Sequence, residues 1–186
     1  MSDFWVFGYG SLMWRPGFPY RESISAHLAG AHRALCVYSW VHRGTPERPG
    51  LVLGLDRGGS CRGVAYRVDA EHRDTVIAYL RERELVTGVY TEAWRAVRLD
   101  HRGRPRVTAL TYLVNRDHVQ YAGSLDRARI LELVRSGRGR SGANAEYVVN
   151  TAVHLRDLGF RDAVLDWVAE RLGDRGTMPP DQDAAP

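Results

Sequence analysis

Strand-forming and helix-forming segments are segregated along this chain, which narrows its fold more than any other feature. Phe4 to Phe7 is a continuous apolar run bounded by Asp3 and Gly8 and reads as a buried strand. Ala34 to Val41 and Leu51 to Leu55 read as strands flanking residues 42–50, whose glycines and prolines forbid regular structure. Asp56-Arg57-Gly58-Gly59-Ser60 carries turn chemistry, and Val64, Tyr66 and Val68 alternate beyond it, so a hairpin from Leu51 to Val68 is expected. Further strands are expected at Tyr90 to Leu99 and Val107 to Val114. The helices come mostly later: Asp69 caps one running to about Glu84, Ser124 one ending near Gly137, and Asn144 one ended by Gly159. A last helix covers about Asp162 to Leu172. Without strict βαβ alternation, the pattern predicts an α+β fold with a mostly antiparallel or mixed sheet, not a doubly wound one.

The chain has 186 residues, which suits one domain able to bury about 70% of its unfolded surface. That domain is expected over 1–173. Residues 174–186, with Met178-Pro179-Pro180 and Asp181-Gln182-Asp183, read as a flexible tail. No apolar run approaches the roughly 20 residues of a membrane span, and Met1-Ser2-Asp3 lacks the basic start of a signal peptide, so no membrane partner and a cytoplasmic location are expected.

Composition removes several chemistries. All 26 basic residues are arginine, so a Schiff-base lysine and a Walker-type phosphate lysine are both excluded. The net charge of +4 arises from arginines dispersed among 22 acids, which argues against a nucleic-acid partner. The seven histidines do not cluster, and Glu71-His72 lacks the rest of a zinc-binding HExxH, so no metal is expected. Cys36 and Cys61 stand in strand interiors and read as small hydrophobes.

Two features carry chemistry. The first is the loop after the opening strand, Gly8-Tyr9-Gly10-Ser11-Leu12-Met13, whose glycines permit a tight turn with successive N–H groups exposed as an anion nest. It lacks the third glycine of a dinucleotide fingerprint and the second glycine of a nucleophile elbow; an ordinary glycine-rich turn is the plain alternative. The second is Glu84, which follows Leu80, Ile77 and Val76 on one helical stripe, whereas Glu82 lies off it. A carboxylate on an apolar face near a helix C-terminus should have a raised pKa, as a general acid/base requires. The plain alternative pairs it with Arg81 or Arg83. Tyr112 and Tyr147 read as amphipathic core residues, with a hydrogen bond to substrate as the alternative role.

Five motifs together resemble the ChaC-type γ-glutamylcyclotransferases in order and spacing. They are Phe7 to Trp14, Arg43-Gly44-Thr45-Pro46 with Pro49-Gly50, Gly63 to Arg67, Arg83-Glu84 with Thr87 to Tyr90, and Ser141 to Tyr147. The resemblance implies a cyclotransferase fold, a small mixed or antiparallel barrel-like sheet with flanking helices. It implies release of 5-oxoproline from a γ-glutamyl amide, with glutathione as the usual small-molecule substrate, Cys-Gly as the second product and no cofactor. It assigns the binding loop to Gly8, Tyr9, Gly10, Ser11, Leu12 and Met13, and the catalytic carboxylate to Glu84. Leu85-Val86-Thr87-Gly88 stands where eukaryotic members carry a lysine and two glycines, as in bacterial members. Arg43 and Arg48 are candidates for the glycine carboxylate of glutathione, with surface solvation as the alternative. Arg43, Tyr112 and Tyr147 complete the candidate substrate-binding set. Two rival functions remain: a cyclotransferase for other γ-glutamyl amino acids or γ-glutamylamines, and a non-enzymatic basic RNA-binding module.

Overall fold

A computed structural model describes residues 3–173; the expected tail, 174–186, and the start of the segment read as lacking a signal peptide, Met1-Ser2, lie outside the described residues. Five strands close into a barrel: β1 (Phe4–Gly8), β2 (Glu22–Ser39), β3 (Gly50–Val68), β4 (Tyr90–Leu99) and β5 (Arg106–Val114), in the order β1-β3-β2-β4-β5. Neighbours are antiparallel except β1 and β5, whose parallel pairing at Trp5–Ala109 and Val6–Leu110 closes the barrel. The sheet is therefore mixed, as the α+β reading requires. Helix α1 (Arg73–Glu84) joins β3 to β4; α2 (Arg127–Ser136), the tiny ladder β6 (Arg138–Gly139) with β7 (Gly142–Ala143), α3 (Asn144–Asp157) and α4 (Ala163–Gly173) follow β5.

Alternation along the strands sends side chains two ways. Phe7, Leu28, Leu55, Val97 and Ala109 belong to a core cluster drawn from all five strands and no helix. Val6, Tyr66 and Leu110 instead meet Leu80, Val134, Val148 and Leu165 of the four helices in a second, larger cluster.

Several expected elements change. The hairpin from Leu51 to Val68 is absent: β3 runs unbroken through the turn-like segment. Gly58 and Gly59, both at positive φ, lie where the register against β2 slips between Ala29–Ser60 and Ala31–Arg57, opposite Gly30, also at positive φ. The glycines thus bend a two-stranded ribbon at a bulge without reversing the chain. Strand β2 begins twelve residues before the expected Ala34 and ends at Ser39, because its first half pairs with the far half of β3. Asp69 is engaged by Arg21 at 3.0 Å, and a short 3₁₀ turn precedes α1. Asp126, not Ser124, caps α2 by accepting the Arg129 N–H at 2.8 Å. Asn144 does not cap α3; its buried amide binds both polar groups of Leu51, at 2.7 and 2.8 Å. Gly159 does end α3 at positive φ, and Asp162 accepts the Val164 and Leu165 N–H groups at 3.1 Å.

Candidate active site

The loop after β1 folds back on itself. A side chain at Gly8 would meet Leu12 Cβ at 3.0 Å, which is why the turn begins on glycine. Ser11–Met13 forms one 3₁₀ turn, closed by the Met13 N–H on the Gly10 carbonyl at 2.9 Å. Among the described residues, the N–H groups of Gly10, Ser11 and Leu12 meet no acceptor. The loop is braced from behind: Arg33, its side chain 6% exposed, donates Nε–H to the Tyr9 carbonyl at 2.5 Å. Tyr66 donates its hydroxyl hydrogen toward the carbonyls of Leu12 and Met13, at 3.0 and 2.7 Å. A trans peptide points its N–H opposite to its C=O, so anchoring the Tyr9 carbonyl on Arg33 turns the Gly10 N–H to the other side.

Glu84 is the last residue of α1, on the stripe of buried Val76 and Leu80. Its side chain is 17% exposed and its Oε1 lies 3.3 Å from Arg83 Nε. Burial pushes the Glu84 carboxyl above the usual carboxylate range, and the Arg83 charge only partly opposes this. Arg81 turns away to a bidentate pair with Glu92, at 2.8 and 3.0 Å. Glu82 is exposed.

The site opens where the sheet lacks a neighbour. Strand β3 pairs with β1 only over Val64–Val68, so among the described residues one edge of its first half has no strand partner. Side chains satisfy that edge: Asn144 binds Leu51, Tyr147 accepts the Leu53 N–H at 3.1 Å, and Tyr90 donates to the Leu53 carbonyl at 2.6 Å. These groups leave a cavity of about 150 Å³ between the edge, the loop and the end of α1. It is lined by Tyr9, Gly10, Ser11 and Leu12, by Val52 and Leu53, and by Glu84, Tyr90, Tyr112 and Tyr147. Tyr112 is 1% exposed, and among the described residues its hydroxyl meets no partner. Burial pushes the phenols of Tyr9, Tyr90, Tyr112 and Tyr147 upward, so all four are neutral hydrogen-bonding groups near neutral pH.

Seven of the sequence-predicted residues meet at this cavity: Tyr9, Gly10, Ser11, Leu12, Glu84, Tyr112 and Tyr147. Three do not. Gly8 pairs with Val64 in the sheet, and Met13 is buried behind the loop with its sulfur 3.6 Å from Arg33. Arg43 turns inward to the carbonyls of Ser141 and Ala143 and lies over the Tyr147 ring, so it is a brace for that ring. Arg48 is exposed. Tyr90 and Leu53 are lining residues the sequence reading did not single out; the signal for Tyr90 was its place in the segment following Glu84. Cys36 and Cys61 are buried, with the Cys36 thiol pushed up to about 12 chiefly by burial, which suits inert core residues. Among the described residues no three metal-ligating side chains cluster, and no helix is long and apolar enough to cross a membrane.

Comparison with known proteins places this arrangement. Residues 4–173 match the ChaC-like protein family. The glutathione-specific γ-glutamylcyclotransferase of Escherichia coli K12 is 37% identical over 158 residues, covering 85% of this chain and 68% of that protein. The glutathione-specific γ-glutamylcyclotransferase of Schizosaccharomyces pombe is 34% identical over 177 residues, covering 84% and 85%. The crystal structure of a yeast γ-glutamyl cyclotransferase specific to glutathione superposes with a TM-score of 0.81 over 94% of this chain and 97% of that one; at 23% identity it speaks for the fold. A family match of this extent, with relatives above 30% identity, means that this chain belongs to the ChaC-like family.

Proposed function

We propose that this protein is a glutathione-specific γ-glutamylcyclotransferase that releases 5-oxoproline and Cys-Gly, with Glu84 as its general acid/base. The observation that carries the reading is Glu84 itself: a largely but not fully buried carboxylate with a raised pKa, facing unpartnered N–H groups across a cavity. The names of the E. coli and S. pombe relatives support glutathione as the substrate. At about 150 Å³ the cavity is below the roughly 300–1,000 Å³ of pockets that engulf a drug-sized ligand, so it suits one end of a peptide, the γ-glutamyl group.

The reaction needs no external nucleophile. The α-amine of the γ-glutamyl group attacks its own γ-carbonyl carbon, closing a five-membered ring, and the bond to the cysteine nitrogen breaks. Holding that folded geometry supplies roughly 7–11 kcal/mol of the barrier. The α-ammonium must first lose a proton, which Glu84 accepts; as a carboxylic acid Glu84 then returns it to the departing nitrogen. A second proton passes from the attacking nitrogen to the product amine, so charge and atoms balance. The N–H groups of Gly10, Ser11 and Leu12 bind an anionic oxygen, the α-carboxylate or the oxyanion of the tetrahedral intermediate. The Tyr112 hydroxyl donates to a substrate oxygen.

The test is to incubate the protein with reduced glutathione and follow both products by mass spectrometry, with Glu84→Gln in parallel. The wild type should yield 5-oxoproline and Cys-Gly together, and Glu84→Gln should lose about 10²–10⁴ in turnover with binding retained. Wild-type turnover by Glu84→Gln removes that residue from the role. Product from other γ-glutamyl compounds but none from glutathione overturns the substrate assignment.

A further inference from the structure

One guanidinium touches both halves of the cavity wall. Arg83 Nε lies 3.3 Å from Glu84 Oε1, while Nη2 donates to Ser11 Oγ in the glycine-rich loop at 2.9 Å. Its Nη1 donates to the carbonyls of Arg15 and Pro16, at 2.8 and 3.3 Å, and to the Tyr79 hydroxyl at 3.0 Å. The loop and the end of α1 are otherwise separate pieces of chain, 72 residues apart at this contact. We propose that Arg83 is a positioning residue that fastens Glu84 to the glycine-rich loop, so that the proton carrier and the anion nest keep one spacing when substrate enters.

The inference rests on the acid/base role of Glu84 argued above. An ion pair with Arg83 looked like the plain alternative to catalysis; the geometry makes it part of the same device. A glutamate at a helix end can occupy several staggered rotamers, and a contact that selects among them also selects where its oxygens point. Only a planar fork reaches a carboxylate, two hydroxyls and two carbonyls at once; a lysine ammonium is a point donor on a flexible stem.

The pair also has an electrostatic signature. The groups facing Glu84 are Tyr9 from the loop, Tyr90 from β4, Tyr112 from β5, Tyr147 from α3 and Arg83 from its own helix. The four phenols are neutral near neutral pH, whereas Arg83 is a cation that favours the ionised carboxylate. Removing it leaves burial unopposed, so Glu84 holds its proton to higher pH. Because the ionised form must accept the first proton, activity then fails at a higher pH.

The experiment measures the pH dependence of kcat/KM on glutathione for the wild type, Arg83→Met and Arg83→Lys. Arg83→Met should move the acid limb upward by about one pH unit. Arg83→Lys should keep the limb near its original place while turnover falls. A uniform loss at every pH in Arg83→Met, or no change, overturns the proposal, because a purely structural role lowers activity without moving the limb. Arg83→Gln, which keeps some donors without the charge, should show the same shift and replaces Arg83→Met if that variant does not unfold cooperatively. A ¹³C carboxyl titration of Glu84, assigned with Glu84→Gln, reads the shift without turnover. A wild type that makes no 5-oxoproline therefore counts against the functional reading, whereas a Glu84 titration unmoved in Arg83→Met counts against this one.

Discussion

Two carboxylates with little exposed surface are held in opposite ways in this protein. Glu84 sits at the cavity with Arg83 as its cation, and burial pushes its carboxyl up. Asp56, on β3 and 6% exposed, accepts from Arg116 Nε at 2.7 Å, from the Tyr121 hydroxyl at 2.9 Å and from the Arg57 N–H at 2.8 Å. Burial pushes Asp56 up as well, but these donors together outweigh it and hold the carboxyl below its usual range. The chemical group is the same; the number of donors aimed at it decides its pKa. A saturated carboxylate stays ionised and braces the sheet, while an under-served one can take up and release a proton.

The two therefore act on stability with opposite sign. A depressed pKa contributes stability that is present above the unfolded carboxylate value and lost as pH falls through the lower, folded one. A raised pKa contributes stability that is present below the unfolded value and lost as pH rises through the folded one. Asp56→Asn should thus cost about 2 kcal/mol near neutral pH, discounted because Arg116 is half-exposed, and lower Tm by roughly 4–8 °C in a thermal melt. Glu84→Gln should leave Tm unchanged or raised under the same conditions. A melt in which Asp56→Asn matches the wild type and Glu84→Gln falls would reverse the assignment of brace and proton carrier.

This contrast also marks where the sequence was legible. β1, β4, β5 and the apolar stripe leading to Glu84 follow from spacing along a few residues, and so does the turn at Gly8 and Gly10. What escaped depends on partners far along the chain. Gly58-Gly59 carries the chemistry of a reversal, yet its role is set by Gly30 across the ribbon, at the register slip. The first two thirds of β2, from Glu22 to Arg33, are rich in Ala, Gly, Ser and His, and become a strand because β3 lies beside them. Tyr90 and Tyr147 are drawn to Leu53, 37 and 94 residues away, because that edge of β3 lacks a strand neighbour. Arg43, a plausible surface cation by its flanking loop, finds carbonyls about 100 residues downstream. An open edge is a property of the closed barrel, and no local window contains it.

The same distinction between saturated and unsaturated groups separates two buried tyrosines. Tyr112 keeps its hydroxyl unpartnered at the cavity. Its removal in Tyr112→Phe should leave Tm unchanged or slightly higher, since an unpaired buried hydroxyl costs stability. With substrate bound the hydroxyl gains an acceptor, so kcat/KM should fall about tenfold, the equivalent of one hydrogen bond. Unchanged kinetics together with a raised Tm would make Tyr112 a packing residue and remove it from the site.

Tyr66 is the saturated counterpart and predicts the smallest effect. Its hydroxyl holds the Leu12 and Met13 carbonyls behind the loop, and its ring packs edge-on against Phe18. Burial raises this phenol to about 12, so it remains a donor across the working pH range. Tyr66→Phe keeps the ring and strands two carbonyls, which should cost about 1 kcal/mol in urea unfolding, the reverse of the Tyr112 result. The nest loses its rear support but not its glycines, its Arg33 anchor or Glu84. KM should therefore rise a few-fold while the acid limb of the pH profile stays in place, because no charge near Glu84 has changed. If the limb moved with Tyr66→Phe as it does with Arg83→Met, the loop itself would be setting the ionisation of Glu84, and the division between a charged clamp and a neutral brace would fall.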